Sequence, residues 1–246
     1  MKIYNKDKIK CLPDAILFDT DNTLYNYFPA HEAAQNAVML KATDLLSISE
    51  EEFSKAFLEA RQNIKKQLKS TASSHSRLLY MQNMLENLGL GSQLLLALDF
   101  EQTYWRTFLK NAFLFDDVKN LLDYLRILGI PTAIVTDLTA QIQFRKVIYF
   151  GLDKFFDYIV TSEEAGFDKP HKSCFDLAIK KIKPKGDTIW MIGDNPDNDI
   201  RGARENINAI TFQKLHKGIK LGEDLNAPDV SFTSYKKLLD FIKTIN

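Results

Sequence analysis

The distribution of apolar and polar positions divides the chain into two kinds of segment. In the second half, short unbroken apolar runs recur at Thr132–Thr136, Tyr158–Ser162, Thr188–Asp194 and Ala209–Phe212. Runs without alternation are typical of strands that are covered on both faces of a parallel sheet. An earlier run, Ala15–Phe18, has the same character and is the first strand that the pattern predicts.

Helical spacing separates these runs. Apolar positions from Val118 to Leu128 keep a helical period, and Gly129 followed by Pro131 ends that helix. Three further helices are predicted over Gln141–Phe150, Ser173–Ile182 and Ser234–Ile245. The repeated alternation of strand and helix predicts an α/β fold with a doubly wound parallel sheet, similar to a Rossmann core.

Residues 25–112 carry no strand-like run. The stretches within them are helical by period, and one opens with a capping box formed by Ser49 and Glu52. We predict a bundle of four or five helices inserted after the first strand, so the domains are 1–24 plus 113–246 and 25–112. Because ligands bind at the carboxyl ends of strands in open α/β sheets, we expect this bundle to lie over the site as a cap.

Composition and charge narrow the classes of partner. The chain has 246 residues, of which 45% are hydrophobic, and its 32 Lys and Arg residues equal its 32 Asp and Glu residues. The chain therefore has no excess of positive charge, and its net charge does not predict nucleic acid or an anionic membrane as a partner. No apolar run approaches the roughly 20 residues that span a bilayer. With only two cysteines and no secretory pattern, we expect a cytoplasmic protein that is a monomer or a homodimer.

Chemistry-bearing side chains collect where the predicted strands end. They are Asp19 and Asp21 after the first strand, Thr136 and Asp137 after the second, Lys169 in a later loop, and then Asp194 and Asp199. Because parallel strands present their carboxyl ends together, we expect these side chains to converge. Such a cluster of carboxylates is unstable alone, and its oxygen ligands predict a divalent cation of the Mg²⁺ type.

The chemistry that uses these groups is the attack of a carboxylate on phosphorus. A carboxylate and a phosphate dianion repel by about 4 kcal/mol per charge pair at roughly 4 Å, so Mg²⁺ and a lysine must first neutralise the phosphoryl oxygens. Asp19 would form an aspartyl-phosphate, while Asp21 would protonate the leaving oxygen and then deprotonate the attacking water. Thr136 would donate to a phosphoryl oxygen, Lys169 would supply positive charge, and Asp194 would hold the metal.

Four motifs in order resemble the haloacid dehalogenase superfamily of aspartate-nucleophile phosphatases, in its branch with a helical cap. The matching stretches are D-T-D-N-T from Asp19, V-T ending at Thr136, D-K-P with Lys169, and G-D-x-x-x-x-D from Gly193 to Asp199. The resemblance implies that Asp19 is the nucleophile and that Asp21 is the general acid and base. It also implies a metal site formed by Asp19, Asp21 through its backbone carbonyl, Asp194 and Asp199. For Asp199, the residues leave open a metal ligand, an orienting group or the N-cap of the next helix.

Four residues are predicted to contact the substrate. Asp137 stands where this family more often has Asn, and its added charge would repel phosphate or hold a substrate hydroxyl. Tyr25 and His31 follow the first motif and would line the pocket, with local packing as the alternative. Arg77 would grip a second anionic group of the substrate, with an ordinary surface arginine as the alternative.

The leading functional hypothesis is a Mg²⁺-dependent phosphatase that acts on a small phosphorylated metabolite, such as a sugar phosphate or a nucleoside monophosphate. A helical cap leaves room for a small ligand. The alternatives are a phosphomutase of the same superfamily and a catalytically silent binding module. A dehalogenase fits less well because those members of the family lack the second acid, whereas Asp21 is present.

Overall fold

The computed structural model describes residues 1–245, which form two compact units. The first unit comprises Met1–Asn26 and the described chain from Phe113 onward, and the second comprises Tyr27–Ala112. The predicted start of the inserted bundle, residue 25, lies two residues before the start of the second unit. Within residues 1–245, no helix combines the length and the apolarity that a membrane crossing requires.

A seven-stranded sheet forms the centre of the first unit. Its strands in chain order are β1 (Lys2–Ile3), β2 (Ala15–Phe18), β3 (Thr132–Thr136), β4 (Tyr158–Thr161), β5 (Ile189–Gly193), β6 (Ile210–Lys214) and β7 (Val230–Phe232). The order across the sheet is β1-β7-β6-β5-β2-β3-β4. All neighbouring pairs are parallel except β1 with β7.

The predicted α/β fold with a doubly wound parallel sheet is confirmed. Every residue of β2, β3 and β5 is buried, as their unbroken apolar runs predict. After β2, the chain forms β3 and then β4 on one side of β2. It then crosses to the other side of β2 and forms β5, β6 and β7 in that order. The strand order therefore reverses beside β2, which is where open α/β sheets place their ligands.

The sequence pattern missed the two strands at one side of the sheet, the edge strand β1 and its neighbour β7. β1 and β7 contain two and three residues, so neither is long enough to show a period. β1 is also antiparallel to its neighbour, with Lys2 opposite Ser231 and Ile3 opposite Val230. The sheet is therefore parallel except at this edge.

Ten α-helices accompany the sheet within the described residues. They are α1 (Tyr27–Leu46), α2 (Glu50–Leu68), α3 (Arg77–Asn87), α4 (Leu94–Asn111), α5 (Val118–Ile127), α6 (Ala140–Tyr149), α7 (Ser162–Ala165), α8 (Lys172–Ile182), α9 (Gly202–Ile207) and α10 (Tyr235–Ile245). The predicted helices of the first unit lie within two residues of α5, α6, α8 and α10. α7 and α9 are only four and six residues long.

The second unit is entirely helical, as its sequence predicts. Its helix α1 packs against α4, and α2 packs against α3. The predicted capping box is present, because the Ser49 hydroxyl accepts from the Glu52 amide and the Glu52 carboxylate accepts from the Ser49 amide. Aromatic side chains fill the interior of this unit, namely Phe53, Phe57, Tyr80, Phe100, Tyr104, Trp105 and Phe108. We call it the helical unit below.

Candidate active site

Three neighbouring strands deliver the predicted catalytic side chains to one edge of the sheet. Asp19 directly follows β2, and its amide donates to the carbonyl of Ile192 in β5 at 2.9 Å, which extends the strand pairing to the site. Thr136 ends β3, and Asp194 follows β5. The central position of β2 between β3 and β5 therefore brings the first, second and fourth motifs together.

The carboxylate of Asp19 is held at both of its oxygens. Its Oδ1 accepts from Lys169 Nζ at 2.7 Å, and its Oδ2 accepts from the hydroxyl of Thr23 at 2.9 Å. Asp19 is only 6% exposed. Two fixed donors and deep burial restrict the rotation of this side chain. A nucleophile must be held in one orientation in this way.

Lys169 links two acids of the site. Its Nζ also donates to Asp199 Oδ1 at 2.6 Å, and both side chains are buried. The Lys169 amide donates to Asp137 Oδ1 at 2.8 Å, so Asp137 anchors the loop that carries the lysine. Burial raises the pKa of Asp137 to about 6, although Lys169 acts in the opposite direction. This contact gives the unusual acid at position 137 a local structural role, and its predicted role towards the substrate stays a prediction.

Asp199 is engaged by protein donors at both oxygens. Besides the contact with Lys169, its Oδ2 accepts from the Asn195 amide at 3.0 Å. Gly193 makes room for it, because a Cβ at position 193 would collide with the Asp199 side chain. The N-cap interpretation of Asp199 is wrong, because Asp199 lies inside the helical turn Pro196–Arg201. Asn195 caps that turn instead, by accepting from two amides at 3.0 Å.

The acid cluster is suited to hold a divalent cation. One oxygen from each of Asp19, Asp194 and Asp199 lies within 4.8 Å of the others. Three carboxylates against the single ammonium of Lys169 leave a formal charge of −2, and carboxylate oxygens suit hard cations. Burial, together with the negative charge of Asp199 and Asp21, raises the pKa of Asp19 to about 7. Burial and the same kind of repulsion raise the pKa of Asp194 well above its ordinary value. A divalent cation would relieve this excess of negative charge.

Asp21 has partners that the sequence analysis did not predict. Lys146 Nζ lies 2.9 Å and 3.1 Å from its two carboxylate oxygens, and the Tyr25 hydroxyl donates to Oδ1. The side chain of Lys146 is only 2% exposed, whereas that of Asp21 is 33% exposed. One feature of the sequence could have indicated the contact between Lys146 and Asp21: Lys146 lies on the buried face of α6, where Ile142 and Val147 pack. Tyr25 is itself buried, so its predicted contact with substrate stays a prediction.

Thr136 belongs to a buried hydrogen-bond network. Its hydroxyl lies 2.8 Å from the Thr20 hydroxyl and accepts from Gln143 Nε2 at 2.9 Å. Gln143, on α6, is 1% exposed and was also missed by the sequence analysis. The network fixes the direction of the Thr136 hydroxyl at the end of β3.

The two remaining predicted residues lie in the helical unit. His31 Nδ1 is 2.6 Å from the Tyr104 hydroxyl, and Arg77 donates to the Tyr27 hydroxyl at 2.6 Å. Arg77 is half-buried, so the interpretation as an ordinary surface arginine does not describe it. The predicted role of both residues in binding substrate stays a prediction.

Several known proteins are similar to this chain in sequence. The model of the haloacid dehalogenase-like hydrolase family matches residues 13–206. The chain is 36% identical over 191 residues to the ribulose-1,5-bisphosphate 5-phosphatase of Halopiger xanaduensis, which covers 77% of this chain and 80% of that protein. It is 30% identical over 238 residues to the glyceraldehyde 3-phosphate phosphatase of Methanopyrus kandleri, which covers 94% and 97% of the two chains.

A solved structure has a similar fold. The hydrolase YfnB of Bacillus subtilis, in a crystal structure bound to magnesium, superposes with a TM-score of 0.65 at 21% identity. The match covers 93% of this chain and 97% of that chain. At this level of identity the likeness shows the fold alone.

Proposed function

The chain belongs to the haloacid dehalogenase-like hydrolase family, and we propose that it is a Mg²⁺-dependent phosphatase of a small phosphorylated metabolite. The observation that carries this proposal is the placement of Asp19 between Lys169 and Thr23, beside two further buried acids. The two curated relatives described above are both named as phosphatases. A hydrolase that breaks phosphomonoesters therefore agrees with both the family and the site.

We assign the first chemical step to Asp19. One of its carboxylate oxygens attacks phosphorus, and the bond from phosphorus to the substrate oxygen breaks as the new bond forms. The leaving oxygen takes a proton from Asp21, and the product alcohol departs. Lys169 offsets negative charge on the phosphoryl oxygens, and the product of this step is an aspartyl-phosphate on Asp19.

The second step releases phosphate. A water molecule attacks phosphorus and gives its proton to Asp21, and the bond to Asp19 breaks to regenerate the carboxylate. Lys146 and Tyr25 hold Asp21 in place from the protein side. Asp21 thus returns to the protonated form that the next cycle needs.

We assign the cation to Asp19, Asp194 and the backbone carbonyl of Asp21, with Asp199 beside them. When bound, Mg²⁺ would neutralise the phosphoryl oxygens and lower the repulsion against Asp19. Asp199 already accepts from Lys169 and Asn195, which favours an orienting role for it over direct ligation.

The names of the relatives narrow the proposed substrate. Both are named for phosphorylated sugars, a ribulose bisphosphate and glyceraldehyde 3-phosphate. We therefore favour a sugar phosphate over a nucleoside monophosphate for this chain.

The test is the release of inorganic phosphate from a panel of sugar phosphates and nucleoside monophosphates in the presence of Mg²⁺. We expect turnover that EDTA abolishes and that Asp19→Asn lowers by at least about 10³-fold. Asp153→Asn, which changes an exposed acid in the same unit, is the matched control and should keep full activity. Failure of the folded, Mg²⁺-loaded protein to release phosphate from the panel and from an aryl phosphate would contradict the proposal. Isomerisation that depends on a sugar bisphosphate would identify the phosphomutase alternative instead.

A further inference from the structure

A chain of hydrogen bonds connects Gln143 to Asp21 through two threonine hydroxyls. Gln143 Nε2 lies 2.9 Å from Thr136 Oγ1, and that oxygen lies 2.8 Å from Thr20 Oγ1. The Thr20 hydroxyl donates to Asp21 Oδ1 at 3.4 Å. Gln143, Thr136 and Thr20 are all buried. The chain therefore runs inside the first unit from α6, past the end of β3, to the proposed acid and base.

The two ends of this chain fix its direction. Gln143 Nε2 also contacts the Asp137 carbonyl at 2.6 Å, and a carbonyl oxygen only accepts. The amide nitrogen therefore donates one hydrogen to Asp137 and the other to Thr136. At the far end, the ionised carboxylate of Asp21 only accepts, so Thr20 uses its single hydrogen there. It follows that the Thr136 hydroxyl accepts from Gln143 and donates to Thr20.

Gln143 also occupies the acceptor that competes for the Thr136 hydrogen. The Thr136 hydroxyl lies 3.4 Å from the Asp137 carbonyl, to which it would otherwise donate. Because Gln143 donates to this carbonyl from only 2.6 Å, the carbonyl is already engaged. The Thr136 hydrogen is therefore left for Thr20, or for a phosphoryl oxygen at the end of β3.

Packing alone does not favour an amide at position 143. Gln143 Oε1 is buried and has no hydrogen-bond partner among the described residues. A buried acceptor without a donor costs free energy, and an apolar side chain of similar length, such as methionine, has no such acceptor. The two hydrogen bonds that the amide donates are therefore its contribution to the site.

We propose that Gln143 and Thr20 are positioning residues for the two groups that handle the phosphoryl group and the proton. Gln143 directs the Thr136 hydrogen towards the phosphoryl oxygen. Thr20 connects Thr136 to Asp21, so the acid–base carboxylate is held at a fixed place beside the phosphate position. This proposal rests on the proposed phosphatase function and adds two residues that act through Thr136 and Asp21.

The role of Thr20 is tested with Thr20→Val, which has nearly the same shape but no hydroxyl. Because Asp21 protonates the leaving oxygen, kcat/KM for a sugar phosphate should fall about tenfold. For a nitrophenyl phosphate, whose leaving group needs no proton, it should fall by less than about threefold. Thr20→Ser restores the hydroxyl and should recover most of the loss.

Thr233→Val, at an exposed threonine of the same unit, is the control for Thr20→Val. Equal kcat/KM in Thr20→Val and Thr233→Val would overturn the role of Thr20. An equal loss on the sugar phosphate and the nitrophenyl phosphate would also overturn it, because a general structural defect does not distinguish leaving groups.

The role of Gln143 is tested with Gln143→Met. Without the amide, the Thr136 hydrogen turns to the Asp137 carbonyl, so KM and the inhibition constant of inorganic phosphate should each rise about fivefold. Thr20→Val should leave this inhibition constant unchanged, because Thr136 keeps its hydrogen. Gln141→Met, at an exposed glutamine of α6, is the control, and circular dichroism checks the fold of each variant. An equal inhibition constant in Gln143→Met and Gln141→Met would overturn the role of Gln143.

A readout without turnover separates this proposal from the proposed function. In metal-free protein, the NMR resonances of the Gln143 side-chain amide report on the Thr136 hydroxyl that it contacts. Thr20→Val should shift them because Thr136 loses its acceptor, and Thr20→Ser should restore them. If the wild-type protein releases no phosphate, the phosphatase proposal fails, whereas unshifted amide resonances in Thr20→Val would overturn the hydrogen-bond chain itself.

Discussion

The carboxyl ends of the parallel strands form one edge of the sheet, called the carboxyl edge, and their amino ends form the amino edge. Both edges hold buried acids, but the pKa values of these acids are shifted in opposite directions. At the carboxyl edge, Asp19 and Asp199 share Lys169, and burial with mutual repulsion raises the pKa of Asp19 and Asp194. At the amino edge, Asp229 lies directly before β7 and is fully buried. Burial alone would raise its pKa, but donors from Lys8, Thr211 and Asn5 outweigh this effect and lower it.

The number of donors distinguishes the two edges. Asp229 accepts from Asn5 at 2.7 Å, from Lys8 at 2.9 Å, and from the amide and hydroxyl of Thr211 at 2.9 Å and 3.0 Å. Arg204 adds a further positive charge at 3.7 Å. Asp229 thus accepts from four donors, whereas Asp19 and Asp199 each accept from two and share one of them, Lys169. The smaller number of donors at the carboxyl edge agrees with the proposal that a cation and a phosphate bind there.

The largest expected effect comes from Lys169→Met. It removes the ammonium between Asp19 and Asp199, so we expect phosphate release to fall by at least about 10³-fold. In EDTA, the free energy of unfolding should fall by about 3–5 kcal/mol, because buried charge loses its partner. Urea unfolding and phosphate release measure both effects, and added Mg²⁺ should restore part of the stability. Lys180→Met, at an exposed lysine, is the control, and equal stability of the two variants would contradict this role of Lys169.

The pH dependence of stability should have opposite signs at the two edges. The pKa of Asp19 is raised in the folded state, so its contribution to stability is fully present below its unfolded pKa, about 4. That contribution is lost as the pH rises towards about 7. We therefore expect the metal-free protein to unfold more easily at pH 8 than at pH 5, and Asp19→Asn to flatten this difference. Thermal unfolding in EDTA tests it, and an unchanged slope in Asp19→Asn would show that another group controls this range.

Asp229→Asn should produce a smaller effect confined to stability. The lowered pKa of Asp229 means that its contribution is present above its unfolded pKa, and is lost as the pH falls through the folded value. Replacing the carboxylate by an amide weakens its charge-assisted hydrogen bonds, and we expect a loss of about 2 kcal/mol at pH 7. Phosphate release by the folded protein should stay within about twofold of wild type. Asp240→Asn, on the exposed face of α10, is the control in the same urea titration.

The contrast between the edges also explains what the sequence predicts. Asp19 and Asp194 directly follow long buried strands, so the apolar runs alone locate them at one edge of the sheet. The donors to Asp229 are dispersed over residues 5, 8, 204 and 211, and no local period connects them. The two strands nearest to it, β1 and β7, are too short to show a pattern.

Side-chain partners inside the site were harder to predict than its location. The motif gave no indication that Lys146 and Gln143 of α6 would contact Asp21 and Thr136. Asp137 illustrates the same limit, because its contact with the Lys169 amide depends on the path of a loop. Sequence order predicts which strand ends converge, while the hydrogen bonds among them depend on packing that only the structure displays.

Asp21 combines features of the acids at both edges. Lys146→Met tests whether the lysine beside Asp21 serves catalysis or only stability. Asp21 lies beside the cluster of Asp19, Asp194 and Asp199 but has its own lysine and a tyrosine donor, as a structural acid would. Methionine matches the buried stem of Lys146, so we expect a change in unfolding free energy of no more than about 1 kcal/mol. If the lysine orients Asp21 for proton transfer, kcat should fall about tenfold while KM stays constant. Tyr25→Phe, which removes the other donor, should lower kcat in the same way, and a rise in KM with constant kcat in either variant would place the pair in substrate binding instead.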